Sequence, residues 1–226
     1  MDYNISTKNS HIHMVPKGGK YTHLIIFLHG FGDYAKSYES FFQEDKILPK
    51  GVLVKIILLQ APIMLTGMFP VPSWFNITQF PIISEKCYDF KEAQKNAKII
   101  ENTIEEEVKL IDGKYENIYV GGFSQGAYLS LYTGLTFKHL LGGVLCFSGA
   151  LFSQTKILDS NKNLKIFVGH GLKDDVIPYK VNEESLKPIE NFSGLKKFTY
   201  PNLAHSIDFK EIQDLSNFLK ESMIGK

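Results

Sequence analysis

The sequence contains no arginine: its 25 basic residues are all lysine. Without a guanidinium fork the chain has no bidentate clamp for a carboxylate or phosphate group. Cysteine is scarce as well, with Cys87 and Cys146 the 2 present. Two thiols make no disulfide framework, which fits a reducing compartment. Cys146 lies in an apolar run and reads as core, whereas Cys87 lies in a polar stretch. An excess of one charge is also lacking: the net charge is +1. That excludes a strong global attraction to nucleic acid or to anionic membranes. No apolar run is long enough to span a bilayer. Residues 1–6 carry neither the apolar stretch of a signal peptide nor a myristoylation glycine. A cytoplasmic chain is expected, with at most transient membrane-surface contact. Repeats and low-complexity linkers are absent too, so residues 1–226 are expected to form a single α/β domain.

Hydrophobic residues make up 44% of the chain, enough for a substantial core. They fall in short runs that alternate with helical periodicity. The runs predict strands at 11–15, 24–28, 54–59, 118–120, 143–147, 165–168 and 196–200. Helices are predicted at 34–42, 90–110, 125–135, 180–189 and 208–221. In the longest, Ala93, Ala97, Ile100, Ile104, Val108 and Ile111 share one face. Near-continuous apolar strands are those of a parallel sheet covered on both sides. The fold class is therefore α/β, a mostly parallel, doubly wound sheet with helices on both faces.

Gly122-Phe123-Ser124-Gln125-Gly126 stands between a predicted strand and a predicted helix. G-x-S-x-G in that context is a nucleophile elbow, in which a serine sits on a strained turn and the glycines let strand and helix approach closely. A serine hydroxyl needs a base to activate it, and the base needs a third group to hold its tautomer. Chain order for such a site is serine, acid, histidine. Of the histidines after Ser124, His139 reads as a surface residue. His170 precedes the acids, which leaves it at most a supporting role. His205 follows a predicted strand and precedes the last helix, where the base belongs. The acid should leave the strand at 165–168, and both Asp174 and Asp175 qualify by position. The oxyanion hole needs two backbone N–H groups. Gln125, next to the serine, supplies one. Phe31, in the glycine loop His29-Gly30-Phe31-Gly32 after the strand at 24–28, supplies the other. His29 itself reads as structural. No residues have metal-ligand spacing and no phosphate loop is present, so neither a metal nor a cofactor is expected.

Residues 61–84 are neither periodic nor polar, and a segment of this kind in a compact domain points to function. It is expected to be an irregular loop bordering an apolar acyl channel, with Met64, Leu65, Met68, Phe69 and Trp74 contacting substrate.

Leu28-His29-Gly30-Phe31-Gly32-Asp33, Gln60-Ala61-Pro62, Pro72-Ser73-Trp74-Phe75, the elbow, the run from His170 to Pro178 and His205 occur in that order. The set resembles the acyl-protein thioesterase, or lysophospholipase-carboxylesterase, family of α/β-hydrolases, over residues from about 24 to the C-terminus. The resemblance implies Ser124 as nucleophile, Asp174 rather than Asp175 as acid and His205 as base. It implies Phe31 and Gln125 as the oxyanion hole. The implied activity is hydrolysis of acyl thioesters or esters, through protein depalmitoylation or lysophospholipid hydrolysis. A small-ester carboxylesterase is the alternative, and a catalytically silent ligand-binding relative the remaining one. The implied partner is an acylated protein, lipid or ester, and no nucleic acid is implied. Three features depart from the resemblance: Asn76 stands where the family usually has Asp, the segment before Trp74 is shorter than in the animal thioesterases, and Ser148-Gly149-Ala150-Leu151 is more similar to microbial carboxylesterases.

Overall fold

A computed structural model describes residues 2–43, 47–66 and 69–225. Its main sheet has 8 strands. The chain enters through β1 (Tyr3–Lys8), β2 (His11–Pro16) and β3 (His23–Leu28), followed by α1 (Glu39–Gln43) and β4 (Val54–Leu59). A separate hairpin, β5 (Ile63–Thr66) and β6 (Phe69–Pro72), leads to α2 (Phe90–Glu107). Then come β7 (Ile118–Phe123), α3 (Gln125–Thr136), β8 (Gly143–Phe147), β9 (Ile166–Gly171), α4 (Tyr179–Ser185), β10 (Leu195–Tyr200) and α5 (Phe209–Ile224). The sheet order is β1-β2-β4-β3-β7-β8-β9-β10. All neighbouring pairs from β4 to β10 are parallel, while β1 and β2 add antiparallel at one edge.

The alternation of side chains along β3 splits the core in two. Leu24, Ile26 and Leu28 pack with Ala93, Ala97, Ile100 and Ile104 of α2. Ile25 and Phe27 pack on the opposite face with Phe42 of α1 and with Leu215, Phe218 and Leu219 of α5. Every residue of β4 is buried, although Lys55 sits among them. Lys55 Nζ forms an ion pair with Glu107 at 2.7 Å, which gives the buried charge its counter-charge.

The predicted strands agree with the observed ones to within a few residues. Two elements escape prediction. β1 is an edge strand exposed along most of its length, so it carries no burial pattern. The segment at 61–84 is not wholly irregular, because β5 and β6 pair within it. The helix predicted at 180–189 also breaks. α4 ends at Ser185 and a 3₁₀ turn, Lys187–Ile189, takes over at Pro188, whose nitrogen has no proton to donate. Cys146 is buried as expected, but Cys87 is buried too, despite its polar neighbours.

The parallel topology gathers the loops after β3, β7, β8, β9 and β10 at the carboxyl ends of the strands, where open α/β sheets bind ligands.

Candidate active site

Ser124 follows β7 directly and adopts φ 54° and ψ −116°, a conformation rare for a residue with a Cβ. The turn that holds it there is closed by its glycines. A Cβ on Gly122 would lie 2.5 Å from the Gly126 carbonyl carbon and 2.8 Å from the Leu28 oxygen. A Cβ on Gly126 would lie 2.7 Å from the Leu28 carbonyl carbon. Strand, elbow and helix therefore fit only without these side chains. Ser124 N–H donates to the Phe147 carbonyl at 2.9 Å, which locks the elbow to β8.

His205 comes from the loop between β10 and α5. Its Nε2 lies 2.8 Å from Ser124 Oγ, and its Nδ1 lies 2.7 Å from Asp174 Oδ2. Asp174 Oδ1 accepts the backbone N–H groups of Val176 at 3.0 Å and Ile177 at 2.8 Å. An acceptor-only carboxylate at Asp174 places the His205 proton on Nδ1 and leaves Nε2 free to accept from the serine hydroxyl. Burial pushes the Asp174 carboxyl up, but the His205 hydrogen bond and charge, with the Ile177 N–H, outweigh it and hold the group below its ordinary value. Asp175, the other acid that position allowed, is exposed. The structure thus brings Ser124, His205 and Asp174 into one hydrogen-bonded chain. Asp175 does not join it, and exposed His139 stacks on Tyr115 at 4.0 Å between ring centroids.

His170 is fully buried beside this chain. Its Nε2 donates to the Ile177 carbonyl at 2.8 Å and lies 3.4 Å from Asp174 Oδ2. Burial pushes its pKa below the ordinary imidazole value, against the opposing pull of the Ile177 carbonyl and the Asp174 carboxylate.

Phe31 lies in the loop after β3. That loop is tied down by Gly32 N–H, which donates to the Pro72 carbonyl at 2.9 Å. His29 is structural. Its Nε2 accepts the Ala61 N–H at 3.0 Å, its Nδ1 bonds the Gly30 carbonyl at 2.7 Å, and its own carbonyl accepts the Trp74 indole N–H at 2.9 Å. Gln125 opens α3 with a fully buried side chain that sequence reasoning did not assign. Its Oε1 accepts the Trp74 N–H at 2.8 Å and its Nε2 donates to the Phe75 carbonyl at 2.6 Å. A buried amide saturated by backbone groups fixes its own residue firmly. Phe31 N–H and Gln125 N–H make no hydrogen bond to another group among the described residues.

The residues expected along the acyl wall divide. Leu65 and Phe69 on the hairpin are 73% and 70% exposed, and Met64, next to Leu65 on β5, is half-buried. Met68 lies outside the described residues. Trp74 corrects the expectation: it is fully buried, its indole committed to His29, and it forms the floor under the glycine loop rather than an accessible wall. Phe80 instead meets the Phe31 ring edge to face at 5.9 Å. Among the described residues no group of 3 or more His, Cys, Asp or Glu could hold a metal ion, and no helix is long and apolar enough to cross a membrane.

A profile of the phospholipase/carboxylesterase family matches residues 9–223. The acyl-protein thioesterase 1 of Mycosarcoma maydis is 33% identical over 225 residues, covering 91% of this chain and 94% of that protein. The acyl-protein thioesterase 1 of Kluyveromyces lactis is 31% identical, covering 88% and 92%. Among solved structures, Arabidopsis thaliana SOBER1 superposes with a TM-score of 0.79 at 23% identity, over 89% of this chain and 99% of that one. Zea mays acyl-protein thioesterase 2 does so with 0.76 at 22%, over 96% and 100%. The likeness to solved structures establishes the fold, and the match along nearly the whole sequence establishes the family: this chain belongs to the phospholipase/carboxylesterase family of α/β-hydrolases.

Proposed function

We propose that this chain is a serine hydrolase that cleaves acyl thioesters and esters through an acyl-enzyme on Ser124. The observation that carries the reading is the chain of hydrogen bonds from Ser124 Oγ through His205 to Asp174, at 2.8 and 2.7 Å. His205 Nε2 takes the serine proton as Oγ attacks the acyl carbonyl. Asp174 holds the ring in the required tautomer and stabilises the imidazolium that forms. The developing oxyanion is received by Phe31 N–H and Gln125 N–H. The imidazolium then protonates the departing sulfur or oxygen, which leaves as thiol or alcohol. In the second half His205 takes a proton from water, which attacks the ester on Ser124, and returns it to Ser124 Oγ as the acid is released. Residues 1–226 act as one unit, without metal or cofactor, in the cytoplasm.

The acyl chain packs against the hairpin, whose Leu65 and Phe69 are exposed and which is tied to the Phe31 loop through Pro72. The relatives' names, acyl-protein thioesterase 1, favour acylated protein as partner. With no arginine to hold an anionic acyl end, a neutral alkyl chain is the best complement. Any membrane contact is transient. Each methylene buried is worth roughly 0.8 kcal/mol, so two more carbons raise kcat/KM by about tenfold while room remains. A series of p-nitrophenyl esters and matched thioesters from acetyl to dodecanoyl, kept below the micelle threshold, tests this. Rates should climb with chain length and then level. A steady fall from acetyl would leave the small-ester carboxylesterase reading. No turnover of any ester, with the fold intact, would leave a silent binding protein.

A further inference from the structure

The loop that carries His205 and the helix α5 that follows it rest on β9 at two residues of the same strand face. A Cβ on Gly171 would lie 2.7 Å from the Ala204 carbonyl oxygen, so the loop backbone lies directly on that residue. Two residues back, a Cβ on Gly169 would lie 2.8 Å from Glu211 Cδ. The Glu211 side chain thus occupies the space that a side chain at 169 would need. Glu211 sits in the first turn of α5 and is 0% exposed. Its backbone N–H is capped by Asp208 Oδ1 at 2.9 Å, but neither oxygen of its own carboxyl has a partner among the described residues.

Among the described residues no counter-charge faces it. Asp208 and Asp214 face it from α5, Tyr200 from β10 and Cys146 from β8. Lys210 is paired with Asp214 at 2.6 Å, and Asp214 also accepts the Tyr200 hydroxyl at 3.2 Å. An ionised Glu211 would be a buried, unpartnered charge beside two acids, which is costly.

We propose that Glu211 is a positioning residue for His205: as the neutral acid it seats the first turn of α5 on Gly169, and so holds the loop at 203–208 where His205 reaches both Ser124 and Asp174. The proposal rests on His205 being the base. Burial, with the charges of Asp208 and Asp214, pushes the Glu211 carboxyl up to about 8. Above that pH the seat is lost and the histidine leaves its line. Because the folded protein holds this proton more tightly than the unfolded chain, Glu211 costs stability as pH rises from the ordinary carboxyl range to about 8, and the cost is constant above it.

The test compares the unsubstituted protein with Glu211→Gln and Glu211→Met from pH 6.5 to 9.5, using a water-soluble p-nitrophenyl ester with buffer hydrolysis subtracted. In the unsubstituted protein kcat should fall above about pH 8, by about tenfold for each unit once the carboxyl is ionised, with KM steady. In either variant the ratio of kcat at pH 9.5 to that at pH 7 should rise toward one. The gap in melting temperature between Glu211→Gln and the unsubstituted protein should widen from pH 5 to 8 and then hold. If only one variant folds, its pH profile decides. An identical alkaline fall in kcat in variant and unsubstituted protein overturns the proposal, as does a fall carried by KM alone. Ser124→Ala, run in parallel, separates the two readings: turnover surviving that change contradicts the site itself, whatever Glu211 does.

Discussion

The Gln125 side chain accepts the Trp74 backbone N–H at 2.8 Å, so the residue that offers an N–H beside Ser124 is braced by the segment under the glycine loop. The same amide donates to Phe75 and Ser73, and all of these groups are buried. One side chain therefore links both proposed halves of the oxyanion hole. Gln125→Leu should cost about 1–3 kcal/mol, because it leaves buried backbone groups unpaired. It should also lower kcat more than KM, since the Gln125 N–H loses its brace. Urea unfolding together with steady-state kinetics checks this, and an unchanged kcat with lowered stability would restrict the amide to packing.

Gly126→Ala puts a methyl group against the Leu28 backbone, which cannot yield as a flexible side chain would. Overpacking typically costs 1–3 kcal/mol, occasionally more. Here the elbow must open, so thermal stability and activity should fall together. Melting curves and ester hydrolysis measure both, and a fully active Gly126→Ala would mean that helix and strand can separate without moving Ser124.

Asp174→Asn should lower kcat by orders of magnitude, because an amide at that position can donate to His205 Nδ1 and so favour the wrong tautomer. Asp175→Asn, at an exposed residue, should be mild. Parallel kcat measurements at pH 7.5 decide between them, and the reverse pattern would move the acid to Asp175.

Acid should destabilise the fold through two buried imidazoles. Burial holds both His29 and His170 below the ordinary imidazole value of about 6.5. The unfolded chain therefore takes up protons first as pH falls. Stability from these groups is present above that value and is lost as pH drops through and below it. Urea midpoints should fall between pH 6.5 and 5. His29→Gln should flatten part of that slope, and an unaltered slope would show that His29 is not a contributor.

The carboxyl ends of β7 and β9 were legible because each strand is a short apolar run that ends in a chemically specific turn, whereas β10 carries two lysines and was placed by its β-prone Phe198-Thr199-Tyr200. The serine, acid, histidine order, with a place between the last strand and the last helix, pointed to His205 among the three histidines after Ser124. It was not enough to separate Asp174 from Asp175, since their difference lies in which carboxyl turns inward to meet the Val176 and Ile177 N–H groups. The hairpin was hidden by prolines at 70 and 72 and by strands of 4 residues, too short for a period to register. Glu211 was hidden for another reason. Asp208-x-x-Glu211 reads as an exposed capping pair at a helix N-terminus, where acids favour the dipole. What buries it lies far away in the sequence: Gly169, 42 positions earlier in the chain, and the neighbouring strands β8 and β10. Trp74 was misread because an aromatic residue in an apolar loop serves a floor as well as a wall.

The most direct test of the proposed chemistry is to react the protein with a fluorophosphonate and locate the adduct by peptide mapping, with Ser124→Ala and His205→Ala alongside. The adduct should fall on Ser124 alone, label His205→Ala far more slowly, and track the loss of esterase turnover one for one. Ser124→Ala should retain a melting curve like that of the unsubstituted protein while kcat falls on the order of 10⁶-fold. An adduct on another residue, or Ser124→Ala that still hydrolyses esters at more than a few per cent of the original rate, would contradict it.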